Sequence, residues 1–413
     1  MTNVDALGAD TGVEQARRHH GSRGGWPAVA TVALGTFTVV TSEMLPVGLL
    51  TPIGSALRIS EGLAGLALTI TGMLAVTAPL VMSVLGRVNR RLLLCGLLVV
   101  VAAGNLLSAV APNFGVLVIG RVLIGVGMGG VWAISGSLGV RLVPPAAVGK
   151  ATSVIFSGVA VASVLGVPAG TYLGSAVGWR AAFGAAAGLA LLVALALAVL
   201  LPPLPAERAI SVRELPALLR NPSLRTGMIV VALLVGGHFA AYTYIRPVLE
   251  QVSGAGAGTV SAFLLCYGIA GVAGTFGFGS IASRAPRRAV VFIGVGLAAS
   301  VAVLALAGGS LVAAAVLLLT WGVSYGGVSV STQNWTLAAA PDSREAASAI
   351  LVAVFNAAIA SGAFLGGRVV DGIGIRAPLW LGAALVLGAT LVAAFGSAPG
   401  DGKEGRRAER VER

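Results

Sequence analysis

Charged residues are scarce in this sequence. Asp, Glu, Lys and Arg make up 10% of its 413 residues, whereas a soluble globular domain carries about 25%. Hydrophobic residues make up 57%, and the mean hydropathy is +0.95. A water-soluble core of this size cannot hide so much apolar surface. The composition therefore excludes an ordinary soluble domain and indicates that lipid surrounds much of the chain.

Cysteine and catalytic motifs are also nearly absent. The two cysteines, Cys95 and Cys266, both lie inside apolar runs, and the sequence has no C-x-x-C motif or Cys/His cluster. This pattern argues against a disulfide framework and against a metal site. There is no Walker-type G-x-x-x-x-G-K-[ST] and no H-E-x-x-H, which counts against an ATP-driven pump and a metalloprotease. We expect no enzymatic activity, no metal and no cofactor.

Long apolar runs are what the chain does contain. A transmembrane helix needs about 20 apolar residues, and hydropathy predicts twelve such spans. The longest polar break, 202–225, divides them into six plus six. We predict a cytoplasmic tail, a first six-helix bundle, a cytoplasmic linker, a second six-helix bundle and a basic cytoplasmic tail, at 1–26, 27–201, 202–225, 226–396 and 397–413. The predicted spans are 27–51, 62–86, 92–111, 115–140, 150–174, 180–201, 226–249, 259–282, 289–308, 310–338, 345–369 and 377–396.

The basic residues set the orientation. With the N-terminus in the cytoplasm, 21 Lys and Arg fall at the inner side and 5 at the outer side, counting those near span ends, and Arg121 alone lies deep within a span. The positive-inside rule therefore predicts that both termini are cytoplasmic. The net charge of +12 does not indicate nucleic-acid binding, because the basic residues lie between apolar runs and are not interleaved with aromatic residues.

Two similar basic loops indicate an internal repeat. The chain reads "GRVNRR" between spans 2 and 3 and "SRAPRR" between spans 8 and 9. Each contains R-x-x-R-R at the same place in its half, which aligns Arg91 with Arg288 and supports two repeats of six helices. We predict that these loops take part in gating through Arg87, Arg90, Arg91, Arg284, Arg287 and Arg288.

Several stretches resemble one family. They are "TSEMLPVGLLTPIG" at 41–54, "GRVLIG" at 120–125, "LGVPAGTYLG" at 165–174, "GHFAAYTYIRP" at 237–247 and the region 340–367. Together they resemble the major facilitator superfamily, in its twelve-span drug:proton antiporter branch, near the arabinose/sugar-efflux and nucleoside-efflux permeases. The resemblance covers roughly 30–395.

The resemblance implies an all-α membrane fold with two six-helix bundles that rock around a midplane site. It also implies that the fifth span carries the motif associated with antiporters, at Gly166, Pro168, Gly170 and Gly174. The sequence departs from the superfamily in its cytoplasmic loops. Gly86 and Ser283 stand where an Asp usually precedes the Arg, which puts the usual charge relay of that loop in doubt.

The implied function is proton-coupled efflux of a small molecule: a drug, a sugar or a nucleoside. The expected partners are that substrate, protons and the lipid bilayer. The expected location is the cytoplasmic membrane, with a single chain as the working unit. An importer or uniporter of the same fold is the first alternative, and a membrane sensor or scaffold without transport is the second.

Two charged residues, Glu43 and Arg121, lie well inside predicted spans and away from the span ends. Counting about 1.5 Å per residue, Glu43 lies roughly 12 Å and Arg121 roughly 9 Å below the outer edge of the membrane. In the resembled fold both spans line the central cavity, so we expect both residues to face it. Two roles are open. Glu43 could exchange a proton for substrate while Arg121 biases its ionisation, or the two could form a static ion pair.

Polar and aromatic residues at similar depth are candidates for substrate binding. Met128 and Trp132 follow Arg121 at helical spacing, His238 and Tyr242 lie one turn apart in span 7, and polar side chains in spans 10 and 11 need partners inside the membrane. The alternative for each is a purely structural role in helix packing or hydrogen bonding. The predicted substrate residues are Met128, Trp132, His238, Tyr242, Gln333, Asn334 and Asn356.

Overall fold

The protein folds into a bundle of long apolar helices, described here from a computed structural model that covers residues 25–76, 88–205 and 218–399. Within these ranges we number twelve helices in chain order, and no strand occurs among them. They are α1 (Gly25–Leu57), α2 (Glu61–Val76), α3 (Arg90–Ala109), α4 (Phe114–Leu142), α5 (Pro145–Ala176), α6 (Trp179–Leu200), α7 (Pro222–Tyr242), α8 (Ala257–Ala282), α9 (Pro286–Ala307), α10 (Leu311–Ala339), α11 (Arg344–Gly372) and α12 (Ala377–Phe395).

The outer surface of these helices is apolar. Large hydrophobic side chains such as Leu195, Phe276, Val312 and Phe395 are exposed. Eleven of the described helices are long and apolar enough to cross a membrane, and α2 is shorter within the described residues. Exposed apolar faces on this scale would aggregate in water, so the fold has the surface of a membrane-spanning bundle.

Most helices match the predicted spans, but several ends differ. Helix α1 continues six residues beyond the predicted end at 51 and stops at Leu57, just before Arg58, whose φ is 54°. Hydropathy marks the apolar run, whereas backbone hydrogen bonds carry the helix on into the membrane interface. Helix α7 begins at Pro222, inside the predicted linker, where the Asn221 side chain caps it. The exact domain boundaries stay a prediction, and residues 1–24, 206–217 and 400–413 lie outside the described ranges.

Three helices have an irregular turn within the membrane. A π-turn at Ala162–Gly166 interrupts α5. Helix α7 ends at Tyr242, and a short helix, Ile245–Gln251, carries the chain onward. Helix α10 is divided at Gly327. Irregular backbone at membrane depth is tolerated where it is buried in protein or lines a cavity, so these turns are candidates for a working site.

The two halves repeat one contact with the same spacing. Arg91 at the start of α3 donates a hydrogen bond to the carbonyl of Ala198 at the end of α6, 107 residues further on. Arg287 at the start of α9 donates to the carbonyl of Ala394 at the end of α12, again 107 residues further on. Structurally equivalent arginines are therefore Arg91 and Arg287. The sequence pattern aligns Arg91 with Arg288, so this contact is shifted by one residue between the halves, because α3 begins at Arg90 and α9 at Pro286.

Hydrogen bonds between the two halves cluster toward one end of the molecule. We call this the outer end, because the predicted orientation places it outside. Among the described residues, Asp371 at the end of α11 accepts from the Ser60 hydroxyl at 2.7 Å and from the Gly62 amide at 3.0 Å. The Gln251 amide donates to Glu61 at 2.8 Å. Arg246 donates to the carbonyl of Gly48. These bonds close the outer end.

Candidate functional site

Arg121 is fully buried and holds three helices together through backbone groups. Its Nε donates to the carbonyl of Ala67 in α2 at 2.9 Å. Its two terminal nitrogens donate to the carbonyls of Ser42, at 2.8 Å, and Glu43, at 2.9 Å, in α1. The planar guanidinium is suited to this fork of acceptors. Arg121 therefore crosslinks α4 to α1 and α2 in the middle of the first half.

The Glu43 carboxyl group lies near this arginine but is not hydrogen-bonded to it. The Glu43 side chain is 4% exposed, and its Oε1 is buried without a hydrogen-bond partner in the described part of the chain. Arg121 is close enough to act on it electrostatically, but the guanidinium contacts the Glu43 carbonyl and not the carboxyl group. The static ion pair considered from the sequence is therefore not the geometry observed.

A small polar group surrounds the two residues. Asn105 in α3 donates to the Ser42 hydroxyl at 2.9 Å, and its own side-chain oxygen is buried without a partner in the described ranges. The Thr71 hydroxyl in α2 donates to the carbonyl of Ala67 at 2.9 Å. Sequence reasoning missed Asn105 and Ser42. A lone amide in the apolar run of span 3 was the available signal, since such groups need partners inside a membrane.

The second half contains a group of aromatic rings at the same level, which we call the aromatic cluster: His238, Tyr242, Tyr267, Trp321 and Tyr325. His238 and Tyr242 come from α7, Tyr267 from α8, and Trp321 and Tyr325 from α10. The Trp321 ring nitrogen donates to His238 Nδ1 at 2.9 Å. Tyr325 is also within electrostatic range of Glu43. The structure thus brings His238 and Tyr242 together with three aromatic residues that the sequence analysis did not select.

The remaining predicted substrate residues are placed differently from one another. Met128 is fully buried in the apolar core of the first half, and Trp132 lies at the edge of that core, 5.7 Å from the ring of Phe156.

Gln333 donates to the Ser348 hydroxyl at 2.8 Å, which links α10 to α11. Asn334 is half-buried. Asn356 donates to the carbonyl of Val352 in its own helix at 2.9 Å. Their role in substrate binding stays a prediction.

The glycines of the predicted antiporter motif pack α5 onto α1. A Cβ on Gly166, Gly170 or Gly174 would come within 2.2–2.3 Å of the side chains of Thr41, Leu45 and Leu49, respectively. These glycines and their neighbours in α1 are each spaced four residues apart, so the motif forms one continuous close interface between the two helices. Pro168 is buried beside it, directly after the π-turn.

The predicted loop arginines lie at the inner helix ends. Arg91 and Arg287 make the repeated hydrogen bonds given above, and the amide of Arg90 donates to the carbonyl of Leu204 at 2.9 Å. Arg284 and Arg288 are exposed, and Arg87 lies outside the described residues. Gating by these loops stays a prediction.

Comparison with known proteins decides the family. The sequence profile of the Major Facilitator Superfamily matches residues 32–346. The chain belongs to the major facilitator superfamily. It is therefore a multi-pass membrane transporter of a small molecule and not an enzyme.

Curated relatives within the superfamily cover nearly the whole chain. The purine ribonucleoside efflux pump NepI of Escherichia coli is 38% identical over 367 residues, which is 89% of this chain and 93% of that protein. NepI of Shigella dysenteriae is 37% identical over the same shares. The resemblance noted from the sequence, to a superfamily branch that includes nucleoside-efflux permeases, is confirmed.

Solved structures confirm the all-α, two-bundle fold. A bacterial homologue of the human lysosomal transporter Spinster, in an inward-facing and occupied conformation, matches with a TM-score of 0.71 at 18% identity, over 91% of this chain and 97% of that one. A mutant of the nucleoside transporter NupG matches with a TM-score of 0.72 at 14% identity, over 89% and 98%. At these low identities the two structures show a shared fold and nothing about substrate or mechanism.

Proposed function

We propose that this chain is a proton-coupled exporter of purine nucleosides in the cytoplasmic membrane. It works as a monomer by alternating access, with Glu43 as the proton-coupling residue. Each cycle exchanges a proton entering the cell for a nucleoside leaving it, around a site between the two bundles.

The observation that carries the coupling proposal is the unbound carboxyl group of Glu43. Burial favours the neutral form of a carboxyl group and a nearby cation favours the ionised form. Arg121 supplies the cation, yet its hydrogen bonds are taken by the carbonyls of Ala67, Ser42 and Glu43. The carboxyl group is thus left free to gain and lose a proton without breaking the joint between helices.

The nucleoside proposal rests on the relatives and on the surroundings of Glu43. The relatives named above are purine ribonucleoside efflux pumps. One ring of the aromatic cluster, Tyr325, lies within electrostatic range of Glu43, and the cluster contains no acidic, Lys or Arg side chain. These surroundings suit an uncharged molecule with a flat ring. A sugar or a drug, the other substrates considered from the sequence, enters the test as a comparison.

Transport into inside-out membrane vesicles tests the proposal. An acidic lumen should drive accumulation of radiolabelled inosine, and dissipating the pH gradient with nigericin should abolish it. Labelled arabinose and chloramphenicol should not accumulate. Inosine entry that only equalises the two concentrations, with or without the pH gradient, would indicate a uniporter, and accumulation only in right-side-out vesicles would indicate an importer.

The Glu43→Gln variant tests the coupling residue in the same vesicles. It keeps the size of the side chain and removes its exchangeable proton. We expect loss of accumulation driven by the pH gradient, with exchange of labelled for unlabelled inosine retained. Asp342→Asn is the matched control, because Asp342 is exposed between α10 and α11. Gradient-driven accumulation at the wild-type level in Glu43→Gln would overturn the assignment.

A further inference from the structure

The aromatic cluster lies where both interrupted helices of the second half are broken. Tyr242 is the last residue of α7 before the chain turns into the short helix Ile245–Gln251. Tyr325 is one residue from the end of the first part of α10, next to the break at Gly327. Irregular backbone at membrane depth is tolerated where it is buried in protein or lines a cavity. Two helices that break against one cluster therefore make it a candidate for a ligand site.

Four rings of the cluster are nearly parallel. His238 lies 3.4 Å from Tyr325 and 5.0 Å from Tyr242 between ring centroids, with interplanar angles of 11° and 20°. Tyr242 lies 4.8 Å from Tyr267 at 27°. Trp321 stands edge-on to His238 at 89°. His238 is thus stacked between Tyr325 and Tyr242, and Tyr325 stands at one end of the stack, where another flat ring can extend it.

Polar atoms within the cluster are left without partners. Tyr267 is only 6% exposed. Its hydroxyl is buried and makes no hydrogen bond in the described part of the chain. The hydroxyl-bearing rings of Tyr242 and Tyr325 are within its electrostatic range. A buried hydroxyl without a partner costs free energy. A static aromatic core would have no reason to keep it, whereas a ligand with hydrogen-bonding atoms at its edge would satisfy it.

His238 presents a donor to the same region. Its Nδ1 accepts from Trp321 at 2.9 Å, so the ring carries its proton on Nε2. Among the described residues Nε2 has no hydrogen-bond partner. Trp321 thus fixes the tautomer of His238, and with it a donor that suits an acceptor nitrogen or carbonyl of a heterocycle.

We propose that the aromatic cluster binds the heteroaromatic base of the transported nucleoside. Tyr325, the half-buried ring nearest to Glu43, stacks on the base, while the Tyr267 hydroxyl and His238 Nε2 bind polar atoms at its edge. The inference rests on the proposed function and assigns the base, not the ribose, to the second half. Tyr267, Trp321 and Tyr325 thereby become specificity residues.

Equilibrium binding of tritiated inosine to the purified full-length protein in nanodiscs tests this assignment. Tyr325→Leu removes the stacking face and should weaken binding about 5- to 150-fold, the range for losing one base–aromatic stack. Tyr267→Phe removes only the hydroxyl and should weaken it about 3- to 10-fold, as for one hydrogen bond. Tyr325→Phe keeps the ring and should bind within about twofold of wild type. Unlabelled ribose should not compete with inosine, whereas unlabelled adenosine should.

Matched controls come from lipid-facing aromatic residues. Phe276→Leu alters a ring that is 78% exposed on α8, and Tyr172→Phe removes a hydroxyl from a residue that is 64% exposed on α5. Both should bind inosine as wild type does. If the wild-type protein binds inosine and both Tyr325→Leu and Tyr267→Phe bind it equally well, the inference is overturned while the proposed function stands. Failure of the wild-type protein to bind any nucleoside would overturn both.

Discussion

Arg121 and Glu43 are neighbours with different tasks. Arg121 binds three carbonyl oxygens from two other helices, so we expect its replacement to affect stability. Oε1 of Glu43 is buried without a hydrogen-bond partner in the described ranges, and Arg121 binds the backbone carbonyl of Glu43, so removing the side-chain charge leaves these bonds of Arg121 in place. We therefore expect replacement of Arg121 to change stability and replacement of Glu43 to change the proposed proton coupling.

Replacing Arg121 should destabilise the protein. Arg121→Lys keeps the charge but loses the planar fork, and each carbonyl left without its charged donor costs about 1.5–3 kcal/mol. Thermal unfolding in detergent, followed by loss of the monodisperse size-exclusion peak, should show a clearly lower midpoint. Arg344→Lys, at an exposed position, should leave the midpoint unchanged, and an unchanged midpoint in Arg121→Lys would refute the structural role.

Glu43→Gln should keep the wild-type unfolding midpoint in the same assay. No hydrogen bond of Arg121 depends on the Glu43 carboxyl group, because the guanidinium binds the backbone carbonyl of that residue. A static ion pair makes the opposite forecast, since removing one partner of a buried pair costs about 3–5 kcal/mol. A large drop in the midpoint for Glu43→Gln would therefore restore the ion-pair interpretation.

Sequence reasoning reached some of these residues and missed others for physical reasons. Glu43 and Arg121 were predicted, because a charge inside an apolar run is costly and therefore conspicuous. Tyr267 and Tyr325 were not, because an aromatic residue in an apolar run is also an ordinary core residue. Their parallel arrangement with His238 depends on how α7, α8 and α10 meet, which no local pattern contains.

Small residues set the distance between α1 and α5. Gly166 and Gly170 contact side chains of α1 that can shift, whereas a Cβ on Gly158 would lie 2.3 Å from the carbonyl oxygen of Ala33 and 2.9 Å from the amide of Phe37. Backbone atoms cannot move aside without displacing the helix. Lipid supplies no hydrophobic drive between helices, so close packing of this kind contributes directly to their association.

Gly158→Ala should separate these two helices and destabilise the first bundle by about 1–3 kcal/mol, the usual cost of overpacking. Gly184→Ala is the matched control, because a Cβ at Gly184 in α6 meets no atom within 4 Å. Detergent unfolding midpoints should fall for Gly158→Ala only. Equal midpoints for the two variants would show that the close approach of α1 and α5 is not required.

At the level of elements, the sequence predicts which segments are helical better than where they break. Within the described residues each of the twelve apolar runs contains a helix, and eleven of these helices are long enough to cross a membrane. The π-turn at Ala162–Gly166 and the break at Gly327 carry no proline, and glycines are frequent throughout the spans. Glycine therefore marks too many positions to locate a break. The repeat was recognised from its arginines, but its register required the Arg91 and Arg287 contacts.

The whole molecule is closed at its outer end by contacts between the bundles. The Asp371 carboxylate binds the Ser60 hydroxyl and the Gly62 amide at the start of α2, where the helix dipole also favours an anion. Helix α2 runs close to α11, since a Cβ on Gly72 would lie 3.2 Å from that of Ala360. Alternating access requires these contacts to open and re-form.

Asp371→Ala should shift the population toward states that are open at the outer end. Spin labels at Val110→Cys and Ser310→Cys, with Cys95 and Cys266 replaced by serine, report the distance between the bundles by pulsed electron paramagnetic resonance. Loss of the two hydrogen bonds should raise the ratio of the longer to the shorter distance about 5- to 150-fold. Asp342→Ala should leave the distribution unchanged. An unchanged distribution in Asp371→Ala would show that these bonds do not hold the outer end closed.

Composition was sufficient to predict the global architecture. Charged residues are scarce and the apolar runs are long enough to span a membrane as helices, which satisfy their own backbone hydrogen bonds in lipid. A helical membrane bundle was therefore the expected fold. The motifs at 41–54 and 165–174 identified the superfamily, which the profile match confirms. Orientation in the membrane stays a prediction from the distribution of basic residues.

Proton release on nucleoside binding tests the central claim most directly. In a weakly buffered solution with a pH-indicator dye, adding inosine to the purified wild-type protein should release protons, because substrate arrival changes the surroundings of the Glu43 carboxyl group. Glu43→Gln should bind inosine without releasing protons. Release from Glu43→Gln at the wild-type level would contradict the account.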